Sequence, residues 1–292
     1  MNIEELTKQR RVVITDGSMG TYLEILGYKG KTPELAVIEN PDLIRKIHIE
    51  YIEAGAQIIL TNTFGANGLR LSKKGMYGKI TDINSRAVEI AVDAKQGKDT
   101  IIAGDIGPTG ELLEPYGNLI TEEARDVFVQ QATILTEAGV DFILLETFQD
   151  LEELKVAFSS IRENLNCFVL PSITLTSGDN PKTLMGQGLE DIVKFAEREK
   201  IGVLGINCGI SSKEMVKVVK KLKDITDIPL WIKPNAGQPY LDKEKVIYPE
   251  CVEEFVSNCL QMVEDGVRFI GGCCGTTPQY IKLLKAGIDE NS

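Results

Sequence analysis

Short apolar segments recur along the chain at intervals of about 25 to 45 residues, and stretches with helical periodicity separate them. Most of these segments are rich in β-branched or aliphatic residues, and loops with Gly, Asn or Pro follow them. Near-continuous apolar strands that alternate with helices are typical of a parallel sheet covered on both faces. The pattern predicts eight strands, at residues 12–15, 58–60, 101–103, 142–145, 168–170, 203–206, 230–232 and 268–270.

Eight strand–helix units in a chain of 292 residues predict the α/β fold class, as a single (β/α)8 TIM barrel. Such barrels commonly use about 250 residues. No low-complexity segment or linker divides the chain, so we expect residues 1–292 to form one domain. An open α/β sheet of seven or eight strands is the alternative.

Composition narrows the possible functions. The net charge of −11 repels phosphate backbones, so we expect no nucleic acid partner. No apolar stretch approaches the roughly 20 residues that span a bilayer, so we expect no membrane association. The N-terminal residues lack a basic segment followed by an apolar core, so we see no secretory signal and expect a cytoplasmic protein.

Polar residues gather directly after the predicted strands. In a parallel barrel the carboxyl ends of the strands meet at one rim, where active sites form. We therefore expect these side chains to lie close together, although they are far apart in sequence. They are Asp16, Gly17 and Ser18 after the first strand, Thr61, Asp105 and Glu146 after the next three, and Cys208, Asn235, Cys273 and Cys274 after the sixth, seventh and eighth.

Three cysteines stand at two of these strand ends. Cys208 ends one apolar run, and Cys273 and Cys274 lie within Ile270-Gly-Gly-Cys-Cys-Gly-Thr-Thr-Pro278. Neighbouring strands are about 4.8 Å apart, so three thiols here can share a Zn²⁺ ion about 2.3 Å from each sulfur. The fourth position would stay open for a substrate thiol. The alternatives are that the cysteines are small packing residues, or that the adjacent pair is redox-active.

The other cysteines and the single histidine suggest packing. We expect Cys167, Cys251 and Cys259 to be inert core thiols, because they lie in apolar or helical contexts. His48 lies in a helical stretch, so we expect it on a helix surface or in packing.

Asp16, Asp105 and Glu146 stand at three strand exits, where an amino-acid substrate would need an acidic partner for its ammonium group. Gly17 and Ser18 follow Asp16, and backbone N–H groups there could bind a substrate carboxylate. Alternatively, each carboxylate caps a helix or balances a neighbouring cation. Gly271 and Gly272 could also form a phosphate cradle, because many barrels bind phosphate after their last two strands.

These motifs resemble the homocysteine S-methyltransferase family, which includes betaine–homocysteine methyltransferase. The resemblance extends from Asp16-Gly-Ser18 through Gly205-Ile-Asn-Cys208 to Gly271-Gly-Cys-Cys-Gly-Thr-Thr-Pro278. The segments at 61–66 and 104–110 look nearest to the homocysteine-binding half of cobalamin-dependent methionine synthase.

The resemblance implies that Cys208, Cys273 and Cys274 bind one zinc ion, which homocysteine sulfur then joins. Asn235 matches a position whose amide oxygen occupies zinc in the absence of substrate. By the same carry-over, Asp16 and Glu146 bind the substrate ammonium, the Gly17–Ser18 backbone binds its carboxylate, and Thr61 is a further binding residue.

The methyl donor is less well defined. The cobalamin-dependent synthase continues into folate, cobalamin and reactivation modules that this sequence does not contain. We expect methylcobalamin on a separate corrinoid protein as the favoured donor, and S-methylmethionine, S-adenosylmethionine or betaine as the alternative. A phosphate-binding lyase or isomerase and a non-catalytic thiol sensor with structural zinc are the rival functions.

Overall fold

Eight parallel strands form a closed barrel in the structure, a computed structural model that describes residues 3–8, 12–243 and 245–291. The barrel strands are β1 (Val13–Ile14), β2 (Ile58–Leu60), β3 (Ile101–Ile106), β4 (Phe142–Phe148), β5 (Val169–Ile173), β6 (Leu204–Ser211), β7 (Leu230–Asn235) and β10 (Phe269–Ile270). The strand order is β1-β10-β7-β6-β5-β4-β3-β2, and a parallel bridge between Thr15 and Ile58 joins the two ends. The predicted (β/α)8 TIM barrel is therefore confirmed.

Helices precede the first strand, fill the connections between strands and follow the last one. They are α1 (Ile3–Lys8), α2 (Met19–Ile25), α3 (Ala36–Glu39), α4 (Pro41–Glu53), α5 (Gly68–Lys73), α6 (Ile80–Ala94), α7 (Thr121–Ala138), α8 (Leu151–Asn164), α9 (Leu189–Arg198), α10 (Ser212–Ile225), α11 (Val252–Glu264) and α12 (Pro278–Glu290). Short 3₁₀ turns cover Pro33–Leu35 and Tyr77–Lys79. Across the described ranges, no helix combines the length and apolar character needed to cross a membrane.

Local sequence explains where several elements begin and end. The Ser211 side chain caps α10 by accepting from the Glu214 N–H, while the Glu214 carboxylate accepts from the Ser211 N–H. This reciprocal capping box fixes the point at which β6 becomes α10. Gly139 ends α7 in the left-handed region at φ 102°, where glycine has no steric penalty.

Two elements were not predicted. Helix α1 lies against the barrel interior, where Ile3 and Leu6 are buried in the same apolar cluster as Phe142 and Trp231. The connection after β7 contains an antiparallel hairpin of β8 (Tyr240–Asp242) and β9 (Lys245–Ile247). This hairpin follows the carboxyl end of β7, so it belongs to the rim that the predicted site occupies.

Large aromatic side chains fill the barrel below that rim. Trp231 stacks on Phe269 with ring centroids 5.8 Å apart and meets Phe142 edge to face at 6.2 Å. Both contacts lie in the range of favourable aromatic pairs. The packed interior leaves the carboxyl rim as the place where polar groups line a cavity.

Candidate metal centre and substrate pocket

The structure brings together the three cysteines of the predicted metal site. The sulfurs of Cys208, Cys273 and Cys274 all lie within 4.8 Å of one another, and those of Cys208 and Cys274 are 3.8 Å apart. Cys208 lies in β6, and the other two follow β10. Strand β7 lies between these strands in the sheet, as the prediction requires.

Backbone hydrogen bonds hold the Cys273–Cys274 loop against β7. The Cys273 N–H donates to the Pro234 carbonyl at 2.8 Å, and the Ala236 N–H donates to the Cys274 carbonyl at 2.9 Å. Asn235 lies between these two bonding positions. Its side chain is buried, and its Oδ1 has no hydrogen-bond partner among the described residues. Asn235 thus offers a buried amide oxygen, unpartnered among the described residues, on a segment that is hydrogen-bonded to the Cys273–Cys274 loop.

The spacing of the sulfurs fits a tetrahedral zinc ion. Two thiolates about 2.3 Å from such an ion lie about 3.8 Å apart, which matches the Cys208–Cys274 separation. All six cysteines are free, and the Cys208–Cys274 spacing is far longer than a disulfide of about 2.05 Å. Hydrogen bonds from Cys208 and Cys273, with another from Tyr248, lower the pKa of Cys274 to about 3. The pKa of Cys208 is raised to about 12 and that of Cys273 well above its ordinary value, by the neighbouring sulfurs and by burial. The metal-free cluster therefore favours one thiolate, at Cys274.

Asp16 and Glu146 form a buried charge cluster with Lys233. The Lys233 Nζ is 3.0 Å from Asp16 Oδ1 and 3.4 Å from Glu146 Oε1, and all three residues are at least nine-tenths buried. The alternative that these carboxylates balance a neighbouring cation is thus observed for both. Asp105 also lines the pocket, but its Oδ1 has no hydrogen-bond partner in the part of the chain described.

Burial and mutual repulsion decide the protonation of this cluster. Burial raises the pKa of Asp105 well above its ordinary value, and the neighbouring Glu146 raises it further. Burial also raises the pKa of Asp16 and Glu146, although Lys233 opposes the shift in both. Burial alone would lower the pKa of Lys233, but the two adjacent carboxylates raise it above its ordinary value. Lys233 therefore stays charged, and Asp105 is the group most easily protonated.

The other predicted binding residues are already engaged by the protein. The Ser18 N–H donates to Thr276 Oγ1 at 3.1 Å, and the Ser18 hydroxyl accepts from the Thr21 N–H to cap α2. A Cβ on Gly17 would lie 2.7 Å from the Thr276 hydroxyl oxygen. The Thr61 hydroxyl accepts from the Asp105 N–H at 3.0 Å. Close packing therefore explains Gly17, and Thr61 holds the backbone of Asp105.

One cavity of about 630 Å³ joins these groups. The three cysteines, Lys233 and the carboxylates of Asp16, Asp105 and Glu146 line it, together with Gly17, Ser18 and Thr61. Four further acidic residues and Arg70 also contribute to the lining: Glu34, Glu111, Asp150 and Glu153 are the acidic ones. Asn235 is absent from its lining. The remaining wall is formed partly by loop residues such as Phe64, Leu112 and Leu184, so the cavity extends well beyond the space that a small amino acid needs.

Close packing also accounts for the glycines of the predicted phosphate cradle. A Cβ on Gly271 would lie 2.0 Å from the Thr15 hydroxyl oxygen, and one on Gly272 would lie 2.5 Å from the Thr276 side chain. Both distances are too short for any side chain. No phosphate is needed to explain either glycine.

Sequence reasoning assigned no role to three residues of the site. They are Lys233, the cation of the charge cluster; Asn207, which contacts Cys273; and Tyr248, which hydrogen-bonds to Cys274. The position of Lys233 at a strand exit was a usable signal. The other two contacts cross between elements distant in sequence, so no local pattern marks them.

The remaining cysteines and His48 lie apart from this centre. Cys259 is buried and Cys167 half-buried, which fits packing, but the prediction for Cys251 is wrong because this residue is exposed. Cys251 is the residue before α11 rather than part of its apolar face. His48 is fully buried in α4, where burial lowers its pKa to about 4, so it is a packing residue.

The fold and the site together define a (β/α)8 barrel of the enzyme type, with a three-thiol centre beside a buried carboxylate cluster at the carboxyl ends of its strands. The family model described as homocysteine S-methyltransferase matches residues 13–288. The chain belongs to this family, and the resemblance drawn from its motifs is confirmed.

The relatives that match this chain differ in their own length. Methionine synthase of Mycobacterium leprae is 30% identical over 97% of this chain, which spans only 25% of that protein. Homocysteine S-methyltransferase 3 of Zea mays is 29% identical over 95% of this chain and 90% of its own length. The chain thus spans about a quarter of the methionine synthase and most of the plant protein.

Solved structures agree with this assignment. The metallated form of the Escherichia coli homocysteine methyltransferase MmuM matches with a TM-score of 0.81 and 25% identity, covering 98% of this chain and 99% of that one. The carboxyl transferase domain of Rhizobium etli pyruvate carboxylase matches at 15% identity and a TM-score of 0.56, which shows a shared fold alone.

Proposed function

We propose that this protein transfers a methyl group from a donor to the sulfur of homocysteine or a similar small thiol, giving methionine from homocysteine. The convergence of three cysteine sulfurs on a cavity that also holds a carboxylate cluster carries this proposal. In the balanced reaction the S–H bond breaks and an S–CH₃ bond forms. The donor keeps the electron pair of its bond to the methyl group, and one proton is released.

Cys208, Cys273 and Cys274 would hold one Zn²⁺ per chain, because thiolates favour this ion over magnesium or calcium. When bound, zinc supplies the Lewis acidity that keeps a substrate thiol in its thiolate form at neutral pH. The unpartnered Asn235 Oδ1 would be the fourth ligand without substrate. Six free cysteines also suit the reducing cytoplasm, where we place the protein.

The charge cluster would bind the substrate ammonium. Two carboxylates, those of Asp16 and Glu146, face the single cation of Lys233, so a substrate ammonium group would supply the second positive charge. The free Oδ1 of Asp105 adds an acceptor in the same cavity. Buried charges require this kind of compensation, because an uncompensated charge in a protein interior is strongly destabilising.

The substrate carboxylate would lie at the Gly17–Ser18 segment, where α2 begins. The Ser18 N–H is already bonded to Thr276, so the carboxylate must share or replace that contact. Thr61 would contribute by holding Asp105, whose backbone N–H it accepts. Substrate binding therefore depends on two threonine hydroxyls, of Thr276 and Thr61, that already form hydrogen bonds within the protein.

Methylcobalamin on a separate corrinoid protein remains our favoured donor. Exposed apolar side chains lie on three connections that follow barrel strands at their carboxyl ends, and we name them the apolar rim: Leu112, Tyr116, Leu184, Tyr240, Leu241 and Val246. Leu112 and Leu184 line the cavity itself. A concentration of exposed apolar groups suits docking of a protein. A small donor such as S-methylmethionine, S-adenosylmethionine or betaine would need no such rim.

Metal analysis and a donor assay test the proposal. We expect about one zinc per chain, and methionine formation from homocysteine with at least one donor among methylcobalamin, S-methylmethionine, S-adenosylmethionine and betaine. In the cobalt-substituted protein, homocysteine is expected to change the thiolate-to-cobalt absorption, whereas homoserine, its oxygen analogue, is not. Protein without tightly bound metal, or a spectrum indifferent to homocysteine, would contradict the proposal.

A further inference from the structure

Asn207 links three barrel strands at the base of the cysteine centre. The residue is fully buried and directly precedes Cys208 in β6. Its Oδ1 accepts from the Thr147 N–H of β4 at 3.0 Å and from the Ser172 hydroxyl of β5 at 2.5 Å. Its Nδ2 donates to Thr147 Oγ1 at 2.6 Å and lies 3.9 Å from the sulfur of Cys273.

These contacts fix the orientation of the amide. The oxygen faces the Thr147 N–H, which can only donate. Exchanging the oxygen and nitrogen of Asn207 would therefore place an N–H donor of the amide against the N–H donor of Thr147. An N–H group of Asn207 must therefore face Cys273. A neutral donor aimed at a thiolate stabilises its charge without adding a competing cation.

Asn207 also lies beside two strained backbone positions. Thr147 and Cys208 have φ values of 59° and 58°, in the left-handed region that residues other than glycine rarely adopt. Both lie where the regular register of their strand is interrupted. Such conformations persist only where surrounding contacts hold them, and Asn207 bonds to Thr147 and adjoins Cys208.

We propose that Asn207 is a positioning residue for the metal centre, fixing the Cys273 sulfur and tying it to the strand that carries Glu146. This link fixes the distance between the metal site and the carboxylates that would bind the substrate ammonium group. Thr147 follows Glu146 directly, so the contact with Asn207 is transmitted to that carboxylate over one residue. This inference rests on the proposed zinc-dependent function.

The Asn207→Asp variant tests it. The aspartate keeps an acceptor for the Thr147 N–H and the Ser172 hydroxyl, but it removes the donor that faces Cys273. We expect zinc affinity, measured by competition with a chelator, to fall about 10- to 100-fold, as for other residues that orient metal ligands. The thiolate-to-cobalt absorption of the cobalt-substituted variant is expected to shift as well.

Two further variants separate positioning from general damage. Ser172→Ala removes a bond to the same amide oxygen without touching the cysteines, and we expect its zinc affinity to stay within about twofold of the parent protein. Thr147→Val frees the second N–H of Asn207, and we expect a smaller but measurable loss of about three- to tenfold. If Asn207→Asp does not fold, Thr147→Val decides the question.

The outcomes distinguish this inference from the proposed function. A parent protein that binds no zinc overturns both. A parent protein that binds zinc tightly, while Asn207→Asp or its substitute Thr147→Val binds it equally well with an unchanged cobalt spectrum, overturns the positioning role alone. A loss of affinity confined to the Asn207 and Thr147 variants, with Ser172→Ala unaffected, supports the inference.

Discussion

The two ends of the barrel interior differ in polarity, although the same faces of the strands line both. Successive side chains of a strand alternate in direction, so residues two apart point the same way. Towards the carboxyl end, this shared face changes from apolar to charged within one such step. Three strands show the change: Ala103 to Asp105, Leu144 to Glu146, and Trp231 to Lys233.

The comparison shows where stability and chemistry separate. The lower end buries aromatic and aliphatic groups that pack without polar demands. The upper end buries Asp16, Glu146 and Lys233, whose desolvation opposes folding. A protein retains such charges where a ligand uses them, so changes at the upper end are expected to alter binding, and changes at the lower end to alter stability.

The largest expected effect comes from removing one sulfur at the upper end. Cys274→Ser replaces a thiolate with a hydroxyl, a much poorer zinc ligand, so bound zinc is expected to fall from about one per chain to nearly none. Activity with the best donor is expected to fall at least about 10³-fold. Metal analysis and methionine formation measure the two effects. Cys167→Ser, outside the centre, is the matched control, and turnover by metal-free Cys274→Ser would contradict the mechanism.

The strongest test of the lower end is Trp231→Ala. Trp231 is fully buried between Phe142 and Phe269, and removal of a large aromatic side chain typically destabilises a core by about 3–5 kcal/mol. Chemical denaturation measures the loss. Trp231→Phe keeps an aromatic ring and is expected to lose less stability than Trp231→Ala. The indole N–H has no acceptor within the described ranges, so its removal breaks no hydrogen bond there. Zinc bound by the folded variant is expected to stay at about one per chain, and a loss of zinc there would show that the two ends are coupled.

The lower end and the strand exits were the predictable parts of this molecule. Continuous apolar runs such as Phe142–Leu145 define strands by themselves, and barrel closure then places Cys208 and Cys273 at one rim. Barrel closure also places Lys233 at this rim, but its pairing with Asp16 depends on the direction of two long-range side chains, which no local sequence pattern shows. Helix α1 was missed because six residues give too short a pattern to indicate periodicity.

A smaller effect, of opposite sign for stability and function, is expected from Asp105→Asn. The pKa of Asp105 is raised in the folded protein, so its stabilising contribution is complete below the ordinary value of 3.8 and is lost as pH rises through the raised pKa. Asparagine is neutral at every pH. The free energy of unfolding of the variant is therefore expected to exceed that of the parent by about 1–3 kcal/mol at pH values above the raised pKa, and by little in acid.

Binding is expected to move the other way in this variant. The amide keeps one acceptor oxygen but replaces the other with an NH₂ group, which can only donate, so the ammonium group loses an acceptor and the KM for homocysteine is expected to rise about tenfold. Thermal unfolding across a range of pH, together with steady-state kinetics, measures both changes. Unaltered stability at high pH would show that Asp105 is not under electrostatic strain, and an unaltered KM would remove it from the ammonium site.

The smallest effect on stability is expected outside both ends, on the hairpin that follows β7. Leu241 is 72% exposed, so Leu241→Ser is expected to change stability by less than about 0.5 kcal/mol. If the apolar rim docks a methylated corrinoid protein, the variant loses activity with that donor by about tenfold, because loss of an apolar interface contact of about 1.4 kcal/mol corresponds to that factor. Activity with free methylcobalamin is expected to remain unchanged, since a small donor reaches the cavity without the rim. Equal activity of parent and variant with the protein-borne donor would leave the cavity wall, rather than the apolar rim, as the region that selects the donor.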